Sequence, residues 1–102
     1  MTTYYLQFES RPLPGQDDAY NRWYTEVHIP DVLRVPGFKR LAGRYRIIAD
    51  EPEPRYLALY EIESEDPQAT LNTLFAAAGN MVISPALDPI NVQVRIMQSC
   101  QP

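Results

Sequence analysis

Apolar and polar positions alternate along some stretches of this chain and recur every three or four residues along others. "TYYLQFE" (3–9) alternates over part of its length and is rich in aromatics, which predicts a first strand. "FKRLAGRYRIIA" (38–49) and "RYLALYEIE" (55–63) predict a second and a third. Strict alternation on the second sets Lys39, Leu41, Gly43, Tyr45 and Ile47 against Phe38, Arg40, Ala42, Arg44, Arg46 and Ile48. "INVQVRIMQS" (90–99) predicts the last strand, with Ile90, Val92, Val94 and Ile96 opposite Asn91, Gln93, Arg95 and Met97.

From Asp17 to about His28, Tyr20, Trp23, Tyr24, Val27 and His28 recur at helical spacing. Asp17 or Asp18 can cap this helix, with acid at its positive end. Pro30 lacks an amide proton and pushes Ile29 out of helical geometry, so the helix should end or kink near His28. "PDVLRV" can form one more turn before "PG" at 36–37. A second helix follows the third strand. Ser64 or Asp66 can cap it, Pro67 suits its first turn, Leu71, Leu74, Phe75 and Ala78 form its stripe, and Gly79 stops it. "RPLPGQDD" (11–18), "DEPEPR" (50–55) and "NMVISPALDP" (80–89) are connections, the second of them a solvated acidic loop carrying Asp50, Glu51 and Glu53.

The resulting order, βαββαβ, predicts an α+β, ferredoxin-like domain over residues 1–102. Its four-stranded antiparallel sheet carries two helices on one face. Apolar residues occupy both parities of the strands, as in Tyr5 and Leu6 or Leu57 and Ala58. One face can bury against the helices; the other needs a partner. A second copy placed face to face about a two-fold axis supplies one, so a homodimer is expected. Gln7, Arg44, Gln93 and Arg95 are candidates for a partly wet space between the sheets, and the parity facing each side stays open.

Composition narrows the function. The 102 residues are 45% hydrophobic and 22% charged, an ordinary globular balance. Nine basic against thirteen acidic side chains leave a net charge of -4, and no basic run interleaves with aromatics, which argues against nucleic acid. No apolar stretch approaches the roughly 20 residues that span a bilayer. "MTTYYLQFES" does not read as a signal peptide. A lone cysteine, Cys100, forms no internal disulfide and fits a reducing cytoplasm. One histidine and one distant cysteine do not make a zinc site of the usual kind, and no glycine-rich phosphate loop is present. Neither a metal nor another cofactor is therefore expected.

The chemistry concentrates in "NRWYTEVHIPDVLRVPGF" (21–38), which holds the single histidine and the single tryptophan. His28 lies four residues after Tyr24 and three before Asp31, so a helix continuing to 31 puts all three on one face. An imidazole suits proton transfer near neutral pH. A helix C-terminus favours its protonated form and burial the neutral one. Asp31 can orient one ring nitrogen, and Tyr24 can donate a hydrogen bond to a substrate oxygen. The bland alternatives are a histidine capping carbonyls at a helix end, and Asp31 stabilising the turn that follows it. Trp23 is a candidate substrate contact, although it and Tyr20 suit the core better. Tyr45, Tyr56 and Tyr60 are strand aromatics able to stack on a flat substrate. Arg40, Arg44 and Arg46 share a parity: either they line a pocket for an anionic or phenolate oxygen, or they form a solvated face, the reading preferred here.

The pattern "NRWY…H.PD" at 21–31, with "PG" at 14–15, "PGF" at 36–38 and "RYLALYEIE" followed by "DP" at 66–67, resembles the dimeric α+β barrel superfamily, and within it the EthD-like branch. The likeness covers nearly the whole chain. Members include dehydratases and cyclases of aromatic polyketides, metal-free monooxygenases and haem-degrading relatives. The resemblance implies a homodimer and places the proton-transfer residue of the dehydratases and cyclases at His28. The expectation is a small cofactor-free enzyme that dehydrates, cyclises or isomerises a flat polyketide-like or aromatic-catabolic intermediate. The alternatives are a non-catalytic ligand-binding dimer and a cofactor-free oxygenase. The naked sheet faces of two chains would enclose the cavity that the imidazole reaches.

Overall fold

The computed structural model describes residues 1–49 and 54–100. β1 (Thr2–Ser10) leads through a Pro-Gly turn into α1 (Asp17–Trp23), a π-helical turn (Tyr24–His28) and α2 (Ile29–Leu33). β2 (Phe38–Ile47), β3 (Arg55–Ser64), α3 (Pro67–Ala78) and β4 (Gln93–Met97) follow. The sheet order is β2-β3-β1-β4 with every pair antiparallel. This is the split βαβ arrangement the pattern predicts. α1, the π turn and α2 run on without a break, and α3 is the second helix. Of the expected acidic loop, positions 50–53 lie outside the described residues.

Local chemistry explains the elements. Asp66 caps α3, its carboxylate accepting the Ala69 amide at 3.1 Å, and Pro67 opens the first turn. Gly79 ends that helix while keeping a right-handed φ of -61°. In α1 the cap position falls on Gln16, not on Asp17 or Asp18. Its side chain makes no capping bond, and the two acids act on the positive helix end from the first turn. Gly37 takes φ +95°, open to glycine at little cost, and turns the chain from α2 into β2.

Register settles which parity faces the helices. Leu6 pairs with Tyr60 and Ile96, Tyr4 with Ile62, and Phe8 with Ala58 and Val94. These even positions form the core with Tyr20, Trp23, Val32, Leu71 and Leu74. The odd positions form the open face: Tyr5, Gln7, Leu57, Leu59, Arg95 and Met97 among them. On β2 the strict alternation fails, because irregularities fall between Phe38 and Arg40 and between Leu41 and Gly43. Each inserts one residue and resets the phase. Phe38, Leu41 and Arg44 therefore point to the helices, opposite Ile62, Tyr60 and Ala58, whereas Arg40 lies on the open face and pairs with Glu61 at 3.0 Å. The three arginines do not share a side, and Arg44 does not face the space expected between two sheets; Gln7, Gln93 and Arg95 do.

Two apolar expectations change. Phe75 is 52% exposed, since Leu71 and Leu74 carry the contact of α3 with the sheet. The last strand begins at Gln93, leaving Ile90 and Val92 exposed in the connection before it.

Candidate functional site

The helical rod does not stop at His28; it widens. The Ile29 amide donates to the Tyr24 carbonyl, five residues back, and normal α geometry resumes through Pro30. A π turn ahead of a proline moves the preceding carbonyls away from the ring that would collide with them. It also changes the phase of the side chains. The His28 ring stacks on Trp23, with centroids 4.7 Å apart at 27°, and meets Tyr24 edge-on at 5.0 Å and 70°.

These rings wall a small recess of about 60 Å³ between the helix face of β1 and the connection from α3 to β4. Phe8, Trp23 and Leu87 supply apolar surface; Ser10, Tyr24 and His28 supply the polar groups; Ile83 and Val92 form a partly exposed rim. The roof is anchored. The Trp23 indole donates to the Val82 carbonyl at 2.7 Å, the Leu13 amide donates to the Ala86 carbonyl at 2.7 Å, and Arg11 pairs with Asp88 at 3.2 Å.

Burial sets the protonation states. His28 Nδ1 is buried without a hydrogen-bond partner among the described residues. Desolvation lowers the imidazole from its usual value of 6.5, and the negative charge of Asp31 opposes that in part. A neutral ring at pH 7 follows. The Asp31 carboxylate itself accepts a hydrogen bond from Arg34 at 2.6 Å and acts on His28 through charge. Tyr24 is raised well above the ordinary phenol range by burial, so it keeps its proton.

Behind the recess lies a cation held by aromatics. The Arg44 guanidinium sits 4.4 Å from the Tyr24 centroid, 5.2 Å from Tyr56 and 5.7 Å from Tyr20. One Nη donates to Asn21 at 2.7 Å, and Nε is buried without a partner among the described residues. Among the described residues no carboxylate pairs with it. The Tyr60 hydroxyl is likewise buried without a partner of normal geometry, although it lies near enough to Tyr24 to affect its ionisation.

Solved structures share this architecture. An EthD-family protein from Bacillus halodurans superposes with a TM-score of 0.57 at 14% identity, covering 94% of this chain and 98% of the other. The haem-degrader MhuD from Mycobacterium tuberculosis, with two haems bound in its active site, gives 0.60 at 18%, covering 96% and 97%. A variant of SnoaB, a cofactor-independent oxygenase from Streptomyces nogalater, gives 0.58 at 11%, covering 100% and 97%. The chain shares the ferredoxin-like α+β fold of these proteins. At these identities the likeness concerns fold. No protein-family model matches the sequence, and no curated protein matches it.

The expected site residues divide by position. His28, Tyr24 and Trp23 meet at the recess. Tyr60 and Arg44 lie behind it on the same side of the sheet. Asp31 stands outside the lining, bound to Arg34. Tyr45 is on the open face, 55% exposed, its ring lying across Gly43, where there is no Cβ to block it. The recess belongs to one chain and to the helix side, so the imidazole does not reach a space between two sheets. Sequence reasoning missed Ser10, Phe8, Leu87 and Val92. Phe8 and Ser10 carry the same parity as Leu6, the one signal that could have nominated them. Among the described residues no group of three His, Cys, Asp or Glu side chains is placed to hold a metal ion. The recess, far below the roughly 300–1,000 Å³ of pockets for drug-sized ligands, does not fit a porphyrin.

Proposed function

We propose that this chain is a small enzyme in which His28 takes a proton from one ring of a flat, mostly apolar organic molecule seated between Trp23, Phe8 and Tyr24. The observation carrying this reading is a neutral, half-buried imidazole whose Nδ1 has no partner among the described residues and whose ring lines an aromatic recess. A histidine merely capping a helix end would spend that nitrogen on a carbonyl. Stacking on Trp23 fixes the ring plane, Asp31 supports the imidazolium once it forms, and Tyr24 stays protonated as a hydrogen-bond donor. Dehydration, cyclisation or isomerisation of an aromatic-catabolic or polyketide-like intermediate would follow from that proton transfer. The recess takes the edge of one ring, and the rest of the substrate would pass the rim at Ile83 and Val92.

A second reading, cofactor-free oxygenation, has support in the likeness to SnoaB. It also begins by removing a proton from an acidic phenol or enol. Oxygen uptake separates the two: elimination and isomerisation consume none. His28→Ala should lower turnover of a confirmed substrate by roughly 10²–10⁴-fold while the fold persists by circular dichroism. Unchanged turnover would reject a catalytic histidine, and saturable binding with no product at any pH would leave a binding protein. The open sheet face, with Tyr5, Leu57 and Leu59 on its inner strands and Met97 on the edge strand beside them, is the proposed interface of a homodimer.

A further inference from the structure

The serine of the recess is hydrogen-bonded to a buried tyrosine against whose ring the aromatic-held arginine lies. Ser10, at the end of β1, lines the recess, and its hydroxyl is hydrogen-bonded to that of Tyr20. Both residues are buried, Tyr20 completely. On the far side of Tyr20 lies Arg44, its guanidinium 5.7 Å from the centre of the phenol ring, where its charge opposes the desolvation that raises the phenol. Acidity sets the sense of the bond between Tyr20 and Ser10. A phenol is the stronger acid of the two hydroxyls, and a guanidinium charge beside its ring strengthens it as a donor. That favours the arrangement in which Tyr20 donates to Ser10 Oγ, which leaves the Ser10 proton for the recess that Ser10 lines. Charge at the far end polarises each bond in turn. Arg44 has no carboxylate among the described residues to consume its charge, which keeps that polarisation available.

We infer that Ser10 is the anion-stabilising donor of the site, its hydroxyl polarised by Arg44 through Tyr20 and aimed at the substrate oxygen that gains negative charge when His28 removes a proton. This rests on the proposed role of the recess and narrows its substrate to molecules in which the proton lost leaves charge on oxygen: phenols, enols and carbonyl compounds with an acidic α-proton. A bond from the acidic atom to hydrogen breaks, the proton goes to the imidazole, and the electron pair settles on the oxygen facing Ser10. Ser10 touches that oxygen; Tyr20 and Arg44 are positioning residues that act through it. Such donors work because they are oriented before the charge develops and are shielded from water.

The test uses 4-nitrophenol and 2-naphthol as probes of the full chain, with absorbance and fluorescence reporting whether the bound probe is phenol or phenolate across a pH series. In the wild-type protein the bound probe should ionise about tenfold more readily than the free one, the scale of a hydrogen bond to a charged group. Ser10→Ala and Tyr20→Phe should each remove most of that shift, Arg44→Met should do the same, and Ser10→Thr should restore it. Thermal unfolding checks that each variant is folded. His28→Gln separates this proposal from the catalytic reading: the shift should survive in that variant even as turnover is lost. A probe that ionises at its free value when bound, a shift unaffected by Ser10→Ala, or no saturable binding of either probe overturns the proposal. So does a shift that disappears in His28→Gln and persists in Ser10→Ala, because the imidazolium would then be holding the anion.

Discussion

At the scale of single residues, His28 has to remain neutral inside the fold, and that links stability to pH. Burial lowers its folded-state value below the 6.5 of an exposed histidine. The unfolded chain therefore takes up a proton first as pH falls. The stabilisation from keeping the ring neutral is complete above 6.5 and is lost progressively below it. Urea unfolding at a series of pH values should show wild-type stability falling more steeply below pH 6.5 than that of His28→Gln, which has no proton to gain; parallel curves would contradict the assigned burial. The candidate residue itself was legible, because only imidazole titrates near neutral pH and the chain has one. Its surroundings were less so. Ser10 looks like the polar end of a strand until the Tyr20 hydroxyl is brought to it from ten residues away.

At the scale of elements, capping and turn chemistry carry testable energies. Asp66→Ala removes the carboxylate that accepts the Ala69 amide and should cost about 1 kcal/mol in chemical denaturation. Gly37→Ala should cost about 1–2 kcal/mol, since alanine is strained at φ +95°. Its methyl would also lie 3.2 Å from Thr70 Cγ2 and 3.4 Å from the Glu63 carbonyl. A loss below a few tenths would show that the turn relaxes. The start of α3 could be read directly, because a cap, a proline and an apolar stripe all agree there. Around Pro30 the sequence required a disturbance without specifying its form. Ending the helix and widening it into a π turn both accommodate a missing amide; the fold takes the second, with Trp23, Tyr24 and Val32 buried along the continued rod. On β2 the two irregularities are equally silent in the sequence, since each inserted residue, Lys39 and Ala42, is unremarkable for a strand. Their effect is large, because the shift of phase turns Arg44 inward among the tyrosines.

At the scale of the whole molecule, the open face is the proposed dimer contact. Leu57 and Leu59 on β3 lie beside Glu9 and Gln7 on β1 and beside Tyr45 and Gly43 on β2, with Tyr5, Met97 and Ile47 extending the apolar surface. Ion pairs Glu9–Arg55 and Glu61–Arg40 interrupt this apolar surface. Sedimentation of the wild-type chain should give a dimer, and Leu59→Arg should raise its dissociation constant at least about tenfold by placing a charge in the proposed contact. A wild-type monomer at micromolar concentration would remove the dimer from the model of function. The recess would remain, since one chain supplies all of its described walls.

The sequence alone determined the element order, the two helices, the caps of α3 and the identity of the one group able to exchange protons at neutral pH. Those properties follow from residue type and short-range spacing: a proline has no amide proton and an imidazole its own ionisation range wherever they sit. Tertiary structure alone decided which sheet face meets the helices, that the recess lies on that face, and that Ser10, Tyr20 and Arg44 stand in line behind it. These depend on the pairing of strands distant in sequence and on where a strand gains an extra residue, and strand pairing is a long-range balance of burial that no local pattern encodes.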